Sequence, residues 1–177
     1  MRALSDCSTI ADALILYGEP LPVASRGSHE LLRLSKRAVF SSRRCPPERM
    51  IAALDWARSL PQAGTALVGG FHSPMEQECL SIALDRRLAV IVCVARDLDT
   101  MRISKAWLQA MNNGRMLLLS TFLPSDRRLT EERSHERNRF AALLADEIFI
   151  VHADRGSHTE QLGTYARTKG KRLVAPA

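Results

Sequence analysis

Short apolar runs alternate with helical patterns along most of the chain. The run at 88–94 has the length and β-branched content of a strand buried on both faces. Between such runs, apolar residues such as Met50, Leu54 and Ala57 recur at three- and four-residue intervals, as on one face of a helix. The predicted strands are 38–40, 65–68, 88–94, 116–119, 147–151 and 173–175. This alternation predicts an α/β fold in three layers, an open parallel sheet with helices on both faces.

Local signals mark several helix ends. Ser73, Pro74 and Glu76 form a capping box with proline at the first helical position. Ser157 and Glu160 have the same spacing and predict a second helix start. Before the first strand only a short helical pattern at 10–16 is visible. We therefore predict an N-terminal extension at 1–35 and one domain at 36–177.

Residue types suited to ligand binding concentrate in the loops that follow the predicted strands. Carboxyl ends of parallel strands meet at one edge of a sheet, where open α/β folds bind their ligands. The chain lacks the GxGxxG and GxxxxGK[ST] patterns of dinucleotide and P-loop sites. Glycines, hydroxyl groups and arginines in these loops nevertheless favour a phosphate site. The loops are 41–46, 69–74, 96–100, 120–134 and 152–157.

Charge and composition narrow the class of partner. The 177 residues carry a formal charge of +6, a balance that favours partners bearing phosphate, nucleic acid among them. The length suits one domain with a substantial core. No secretory signal and no apolar stretch long enough to span a bilayer is visible. We therefore expect a cytoplasmic protein with no membrane partner.

The metal-ligating residue types show no spacing typical of a metal site. The cysteines lack the short paired spacing of zinc ligands and are expected to be reduced thiols. The histidines near the loops are expected to be solvated or hydrogen-bonded. The prediction is therefore no metal and no cofactor. These residues are Cys7, Cys45, Cys79 and Cys93, together with His72, His135, His152 and His158.

Four motifs together resemble one known family. A helix containing Arg137-Asn138-Arg139 precedes an apolar strand, and that strand leads to the pair Gly156-Ser157. Ser41-Ser42-Arg43 follows the first predicted strand, and Gly69-Gly70 follows the second. In this combination residues 37–176 resemble the Rossmann-like domain of the DNA-processing protein A family, also called DprA or Smf.

The resemblance implies a function and a site. Members of that family bind single-stranded DNA and help to load the RecA recombinase during natural transformation. By resemblance, this chain would bind single-stranded DNA or nucleotide phosphates in DNA uptake or recombination, without a catalytic residue. A RecA-type recombinase partner and a homodimer are left open. The ligand- and phosphate-binding residues that the resemblance implies are Ser42, Arg43, Gly69, Gly70, Arg137, Asn138, Arg139, Gly156 and Ser157.

A second resemblance points to an enzyme. Gly156, Ser157 and Glu160 resemble the Gly-Thr-x-x-Glu segment of the Lonely-guy phosphoribohydrolases, relatives in the same superfamily that release the base from ribose 5′-monophosphates. By this resemblance Glu160 would face the oxocarbenium-like centre and Arg139 would hold the phosphate. A nucleotide sensor without catalysis is a third alternative. We rank DNA binding first because the Arg-Asn-Arg helix and the positive charge favour a polyanion.

Each motif also has a purely structural interpretation. Glu160 completes the capping box that begins at Ser157. Arg137 and Arg139 can form ion pairs with neighbouring glutamates on a solvated helix face. A glycine pair can serve a strand-to-helix turn without any ligand.

Overall fold

The computed structural model describes residues 12, 13, 15, 17, 18, 23–122 and 130–176. Of the short helix predicted at 10–16, residues 12, 13 and 15 are described and are helical. A 3₁₀ helix spans His29–Arg33. The strands are β1 (Ala24–Gly27), β2 (Ser35–Ser41), β3 (Thr65–Gly69), β4 (Ala89–Val94), β5 (Met116–Ser120), β6 (Glu147–His152) and β7 (Arg172–Val174). The α-helices are α1 (Pro47–Ser59), α2 (Pro74–Asp85), α3 (Lys105–Asn112), α4 (Glu131–Leu144) and α5 (His158–Thr168).

These strands form one sheet in the order β1-β5-β4-β3-β2-β6-β7. Every neighbouring pair is parallel except β1 and β5. In the middle of the sheet, Ala38 on β2 aligns with Val68 on β3 and with Ile148 on β6. Strands β3, β4 and β5 are buried along their whole length, which explains their almost continuous apolar sequence.

Helices cover both faces of the sheet. Helices α4 and α5 pack on one face with the 3₁₀ helix, and α1, α2 and α3 pack on the other. On the second face Trp56 stacks on Phe149, with ring centroids 4.5 Å apart and planes 9° apart. The predicted fold, an open α/β sheet with helices on both faces in three layers, is confirmed.

Each predicted strand is present, and the largest difference is at β2, which begins at Ser35 instead of residue 38. Residues 36 and 37 are charged, so the start of β2 shows no apolar pattern in the sequence. Lys36 is buried and forms an ion pair with Asp146, at 3.0 Å between Nζ and Oδ2, and Arg37 forms one with Glu147. Because both partners lie at the start of β6, the charges are satisfied only after the sheet has formed.

The edge strand β1 lies within the predicted N-terminal extension and was not recognised from the sequence. Its four residues are polar or small and carry no apolar alternation. Strand β1 runs antiparallel to β5, and Gly27 has a φ of +119°. A Cβ there would overlap the carbonyl of Met116. Only glycine allows the chain to approach β5 so closely and turn.

Side-chain hydroxyl groups cap helices α2, α4 and α5 at their N-termini. Ser73 Oγ accepts the amide of Glu76 at 3.2 Å, and Ser157 Oγ accepts the amide of Glu160 at 3.2 Å. Both predicted capping boxes are therefore confirmed at their serines. Thr130 caps α4, which begins at Glu131, within the segment predicted as a loop. Residues 123–129 of that loop lie outside the described part.

Three of the four cysteines are described, and Cys45, Cys79 and Cys93 are free thiols, as predicted. Burial raises the pKa of both Cys79 and Cys93 to about 12, so these thiols are inert core groups. Cys7 lies outside the described residues. Within the described ranges, no helix has the length and apolar content needed to cross a bilayer.

Candidate functional site

Strands β2 and β6 lie side by side where the chain connections diverge. Strand β2 leads to β3 on one side, and β6 leads to β7 on the other. Beyond the carboxyl ends of two such strands a crevice opens, and open α/β sheets bind their ligands there. Ser41 at the end of β2 aligns with His152 at the end of β6. The loops that follow these two strands therefore face each other.

A cleft of about 570 Å³ occupies this position. It collects side chains from the end of β2, from the loops that follow β2 and β6, from the start of α2, and from the first two turns of α4 and the first turn of α5. Among the predicted site residues, those lining it are Ser42, Arg43, Arg137, Asn138 and Ser157. The other lining residues are Phe40, Ser41, His72, Ser73, Glu76, Thr130, Glu131, Ser134, His135, Asp154, His158 and Thr159.

Ser42 joins the two facing loops. Its amide donates to the carbonyl of His152 at 2.9 Å. Its hydroxyl accepts the amide of Asp154 at 3.1 Å and donates to Ser157 Oγ at 3.3 Å. Two predicted segments that are more than a hundred residues apart thus share one hydrogen-bond network, which fixes the start of α5 against the end of β2.

The glycine pair makes room for two other side chains. Neither Gly69 nor Gly70 is among the residues with positive φ, whereas Phe71 has a φ of 53°. A Cβ on Gly69 would lie 3.2 Å from the ring of Phe71, and one on Gly70 would overlap the guanidinium of Arg137. Close packing, more than backbone freedom, therefore explains both glycines.

Arg137 lies beneath the cleft and not on a solvated helix face. Its side chain is 2% exposed, and Nη1 donates to the carbonyls of Gly70 and Cys93, both at 3.3 Å. Burial lowers the pKa of Arg137, and the nearby Glu76 carboxylate opposes that shift. The surface ion pairs considered for Arg137 are therefore excluded. Arg137 instead fixes the glycine turn from below.

Glu76 does more than the helix cap predicted for it. Oε1 accepts the amide of Ser41 at 3.1 Å, and Oε2 accepts the amide of His72 at 2.9 Å. Burial raises the pKa of this carboxyl group, whereas the two hydrogen bonds and Arg137 act in the opposite direction. Glu76 thus holds the end of β2 and the glycine turn together, and its charge offsets that of Arg137 at the floor of the cleft.

Two polar atoms at the cleft lack partners. In the described residues four buried side-chain nitrogen or oxygen atoms make no hydrogen bond, and two of them are Arg137 Nε and Asn138 Oδ1. Both residues line the cleft. A buried polar group without a partner costs about 1–3 kcal/mol, so such groups are typical of a site completed by a ligand or by water.

Arg139 faces a different cavity. Residues two positions apart on a helix point about 200° apart, so Arg137 and Arg139 cannot share one cleft. Arg139 is exposed and lies over the ring of Tyr165, with Cζ 5.5 Å from the centroid. It lines a cavity of about 240 Å³ between α4 and α5, which also contains Asn138.

Gly156 and Glu160 lie at the start of α5 but outside the cleft lining. Gly156 has a φ of +76°, and its amide donates to Glu160 Oε2 at 2.7 Å. Glu160 faces a larger cavity of about 830 Å³ formed with the end of β6 and with β7. Glu160 and Arg139, the catalytic pair of the enzyme alternative, therefore border two separate cavities.

The lining of the cleft carries charges of both signs, with Arg43 and Arg137 on one side of the balance and Glu76, Glu131 and Asp154 on the other. Arg43 is exposed there. Partial burial, followed by the charges of Arg137, Arg43 and Arg96, lowers the pKa of His72 to about 4. His72 is therefore neutral near pH 7, and the positive charges that line the cleft are those of Arg43 and Arg137.

Sequence reasoning missed several residues of the cleft. The capping pattern concealed the second role of Glu76, because its bonds reach back to residue 41. From the sequence, His135 and His158 are each expected to be solvated or hydrogen-bonded, and nothing there predicts that their ring centroids lie 3.5 Å apart. No local spacing links these two positions, so only the packing of α4 on α5 reveals the contact.

The fold and the cleft define a Rossmann-like α/β domain with an arginine-containing crevice at its topological switch point. The chain belongs to the DNA recombination-mediator protein A family, whose sequence model matches residues 9–176. The family predicted from the sequence, DNA-processing protein A, is thereby confirmed. No curated protein sequence matches the chain.

Solved structures agree on the fold. DNA processing protein A from Streptococcus pneumoniae is 22% identical with a TM-score of 0.76, over 93% of this chain and 58% of that protein. The Helicobacter pylori protein is 24% identical with the same TM-score, over 92% of this chain and 75% of that one. The Moco carrier protein of Chlamydomonas reinhardtii is 16% identical with a TM-score of 0.56, over 81% and 76% of the two chains. The chain thus spans 58% of the pneumococcal protein.

Proposed function

We propose that the cleft binds the phosphates of single-stranded DNA and that the chain acts in DNA processing without catalysis. The observation that carries the proposal is the unpartnered buried donor Arg137 Nε at a cleft that exposed Arg43 also lines. The unpartnered Asn138 Oδ1 is an acceptor, which an N–H group of a DNA base can satisfy. The Helicobacter pylori relative binds single-stranded DNA. The formal charge of +6 fits a polyanionic ligand better than a single nucleotide.

The site residues divide into two groups under this proposal. Exposed Arg43 contacts phosphate directly, and the first turn of α5 offers amide groups that an α-helix leaves without internal partners. Arg137, Gly69 and Gly70 hold the turn that shapes the cleft. Arg139 adds an exposed positive charge on α4, beside the cleft.

The location of the protein, its cellular process and its protein partners are part of the same proposal. We place the protein in the cytoplasm, in DNA uptake or recombination, with a RecA-type recombinase and a second copy of the chain as candidate partners. The division into an extension at 1–35 and a domain at 36–177 likewise stays a prediction. None of these is needed for the cleft to bind DNA.

A binding comparison tests the proposal. Fluorescence anisotropy of a labelled oligo-dT, with AMP as competitor, is measured over roughly 50–200 mM salt. Arg43→Ala should weaken binding to all sequences alike and reduce the salt slope by about 1, because one phosphate contact is lost. Arg58→Ala is the matched control, since Arg58 is exposed and paired with Asp55 near the end of α1. Equal effects of the two substitutions would contradict the proposal.

The same preparation tests the enzyme alternative. Pure protein is incubated with AMP, and free adenine is assayed. We expect no release, because Glu160 and Arg139 face separate cavities. Release of adenine that disappears in Glu160→Ala would replace the proposal with a phosphoribohydrolase.

A further inference from the structure

Three metal-ligating side chains converge at the mouth of the cleft. Glu131 and His135 lie one turn apart on α4, and His158 is the first residue of α5. His158 Nε2 lies 3.5 Å from Glu131 Oε1, and His135 Nε2 lies 4.0 Å from the same oxygen. One ligand atom from each residue falls within 4.8 Å of the others. The cluster is therefore built from two helices and is not a run of neighbouring residues.

The two imidazole rings are packed face against face. Their centroids are 3.5 Å apart and their planes are inclined by 34°. Each imidazole offers one ring nitrogen as a possible metal ligand.

We propose that Glu131, His135 and His158 form a binding site for a divalent transition-metal ion of the zinc class. Two imidazole nitrogens and one carboxylate are a ligand set typical of zinc sites that keep a position open. Calcium and magnesium prefer all-oxygen sites, so the set disfavours those two cations. The site shares the first turn of α5 with the phosphate contacts proposed above, but the argument for it does not rest on them.

The side chains can close on an ion by rotating about their own bonds. Ligand distances of about 2.0–2.2 Å to zinc require the three groups to draw together and the rings to turn edge-on. The side chains of Glu131 and His158 are 79% and 55% exposed, so both can rotate, while His135 is 27% exposed and held more firmly. His135 thus provides the fixed ligand towards which the other two move.

A bound ion would connect the first turns of α4 and α5 across the cleft mouth. Both first turns line the cleft. Three protein ligands leave a position that water or an oxygen of another molecule can occupy. The ion would also add two positive charges where Glu131 now contributes a negative one.

The site is tested by measuring metal binding in the absence of DNA. The protein carries no histidine tag and is first treated with EDTA to remove bound metal. Zn²⁺ is titrated by calorimetry, and Co²⁺ is followed by its visible absorption, both without DNA. We expect a single equivalent to bind in the micromolar range. His135→Gln, His158→Gln and Glu131→Gln should each weaken binding by roughly tenfold or more, because each removes one of three ligands.

His29→Gln is the matched control, since His29 lies on the 3₁₀ helix and is hydrogen-bonded to Ser25 at 2.9 Å. It should bind zinc like the wild type. Circular dichroism checks that each variant is folded, and substitutions at exposed Glu131 and His158 keep the test valid if His135→Gln is unstable. Absence of Zn²⁺ binding to the wild type, unchanged affinity in Glu131→Gln and His158→Gln, or a thiolate-to-cobalt absorption band overturns the proposal. Failure of DNA binding leaves this result unaffected.

Discussion

At the scale of single residues, Arg137 leaves no room for a side chain at position 70. The guanidinium of Arg137 occupies the position that a Cβ on residue 70 would need. Gly70→Ala must therefore displace a buried cation from the carbonyls of Gly70 and Cys93. We expect a loss of about 1–3 kcal/mol in the free energy of unfolding, the usual range for overpacking. Urea denaturation followed by circular dichroism measures it.

Gly163→Ala provides the control for this substitution. Gly163 lies inside α5, and a Cβ there would meet only Leu173 Cδ2, at an ordinary 3.5 Å. Alanine favours the helix over glycine by roughly 0.5–1 kcal/mol, so this variant should be more stable than the wild type. If both variants change stability in the same direction, crowding at Gly70 is not the cause.

His72 offers a second prediction at this scale, concerning pH. Its pKa is about 4 in the folded protein, against an ordinary 6.5. Because the unfolded chain takes up the proton more readily, the contribution of His72 to stability is complete above pH 6.5 and is lost as the pH falls through about 4. His72→Asn should lose less stability than the wild type between neutral pH and pH 4.

The titration can also be observed directly. Proton and nitrogen NMR shifts of the imidazole should place the His72 pKa well below its ordinary value, with His72→Asn identifying the signal. An ordinary pKa for that signal would mean that His72 is not partly buried near the arginines in solution as it is in the structure.

At the scale of elements, the start of α5 links helix capping to the cleft. Ser157 caps the helix and also accepts the hydroxyl of Ser42. Ser157→Ala should cost about 1 kcal/mol of stability through the lost cap, and it should weaken binding of oligo-dT. Ser104→Ala removes the equivalent cap of α3, where Ser104 Oγ accepts the amide of Trp107 at 3.3 Å.

The comparison separates stability from binding. Ser104→Ala should lower the free energy of unfolding by a similar amount and leave the affinity for oligo-dT unchanged. Chemical denaturation and anisotropy on the same samples provide both values. Equal loss of affinity in the two variants would show that capping affects binding only through general stability.

At the scale of the whole molecule, the edge strand β1 protects the sheet. It covers the outer edge of β5, and the 3₁₀ helix that follows buries Leu31 and Leu32 in the core. A chain that begins at residue 36 would expose the edge of a fully buried and mostly apolar strand, which promotes aggregation. A chain that begins at residue 23 keeps both elements and serves as the control.

Size-exclusion chromatography and thermal unfolding of these two truncated chains test the expectation. The shorter chain should aggregate or unfold at lower temperature. Equal stability and equal elution as a monodisperse species would show that the folded domain begins at residue 36, as the sequence predicts.

The sequence by itself determined the features that depend on near neighbours. The parallel strands, the helices between them and the caps at Ser73 and Ser157 all follow from apolar spacing and from hydrogen bonds within one turn. The start of β2 was missed because Lys36 and Arg37 interrupt the apolar run, and β1 was missed because it has no such run. Their partners lie across the sheet, beyond the reach of any local pattern.

Only the tertiary structure decided which site residues meet. Arg137 and Arg139 look equivalent in the sequence, but the rotation of α4 buries the first under the glycine turn and leaves the second beside Tyr165. The contact of His135 with His158 depends in the same way on how α4 packs against α5. Helix rotation and packing are set by the entire core, so residues distant in the chain share a site only once that core has formed.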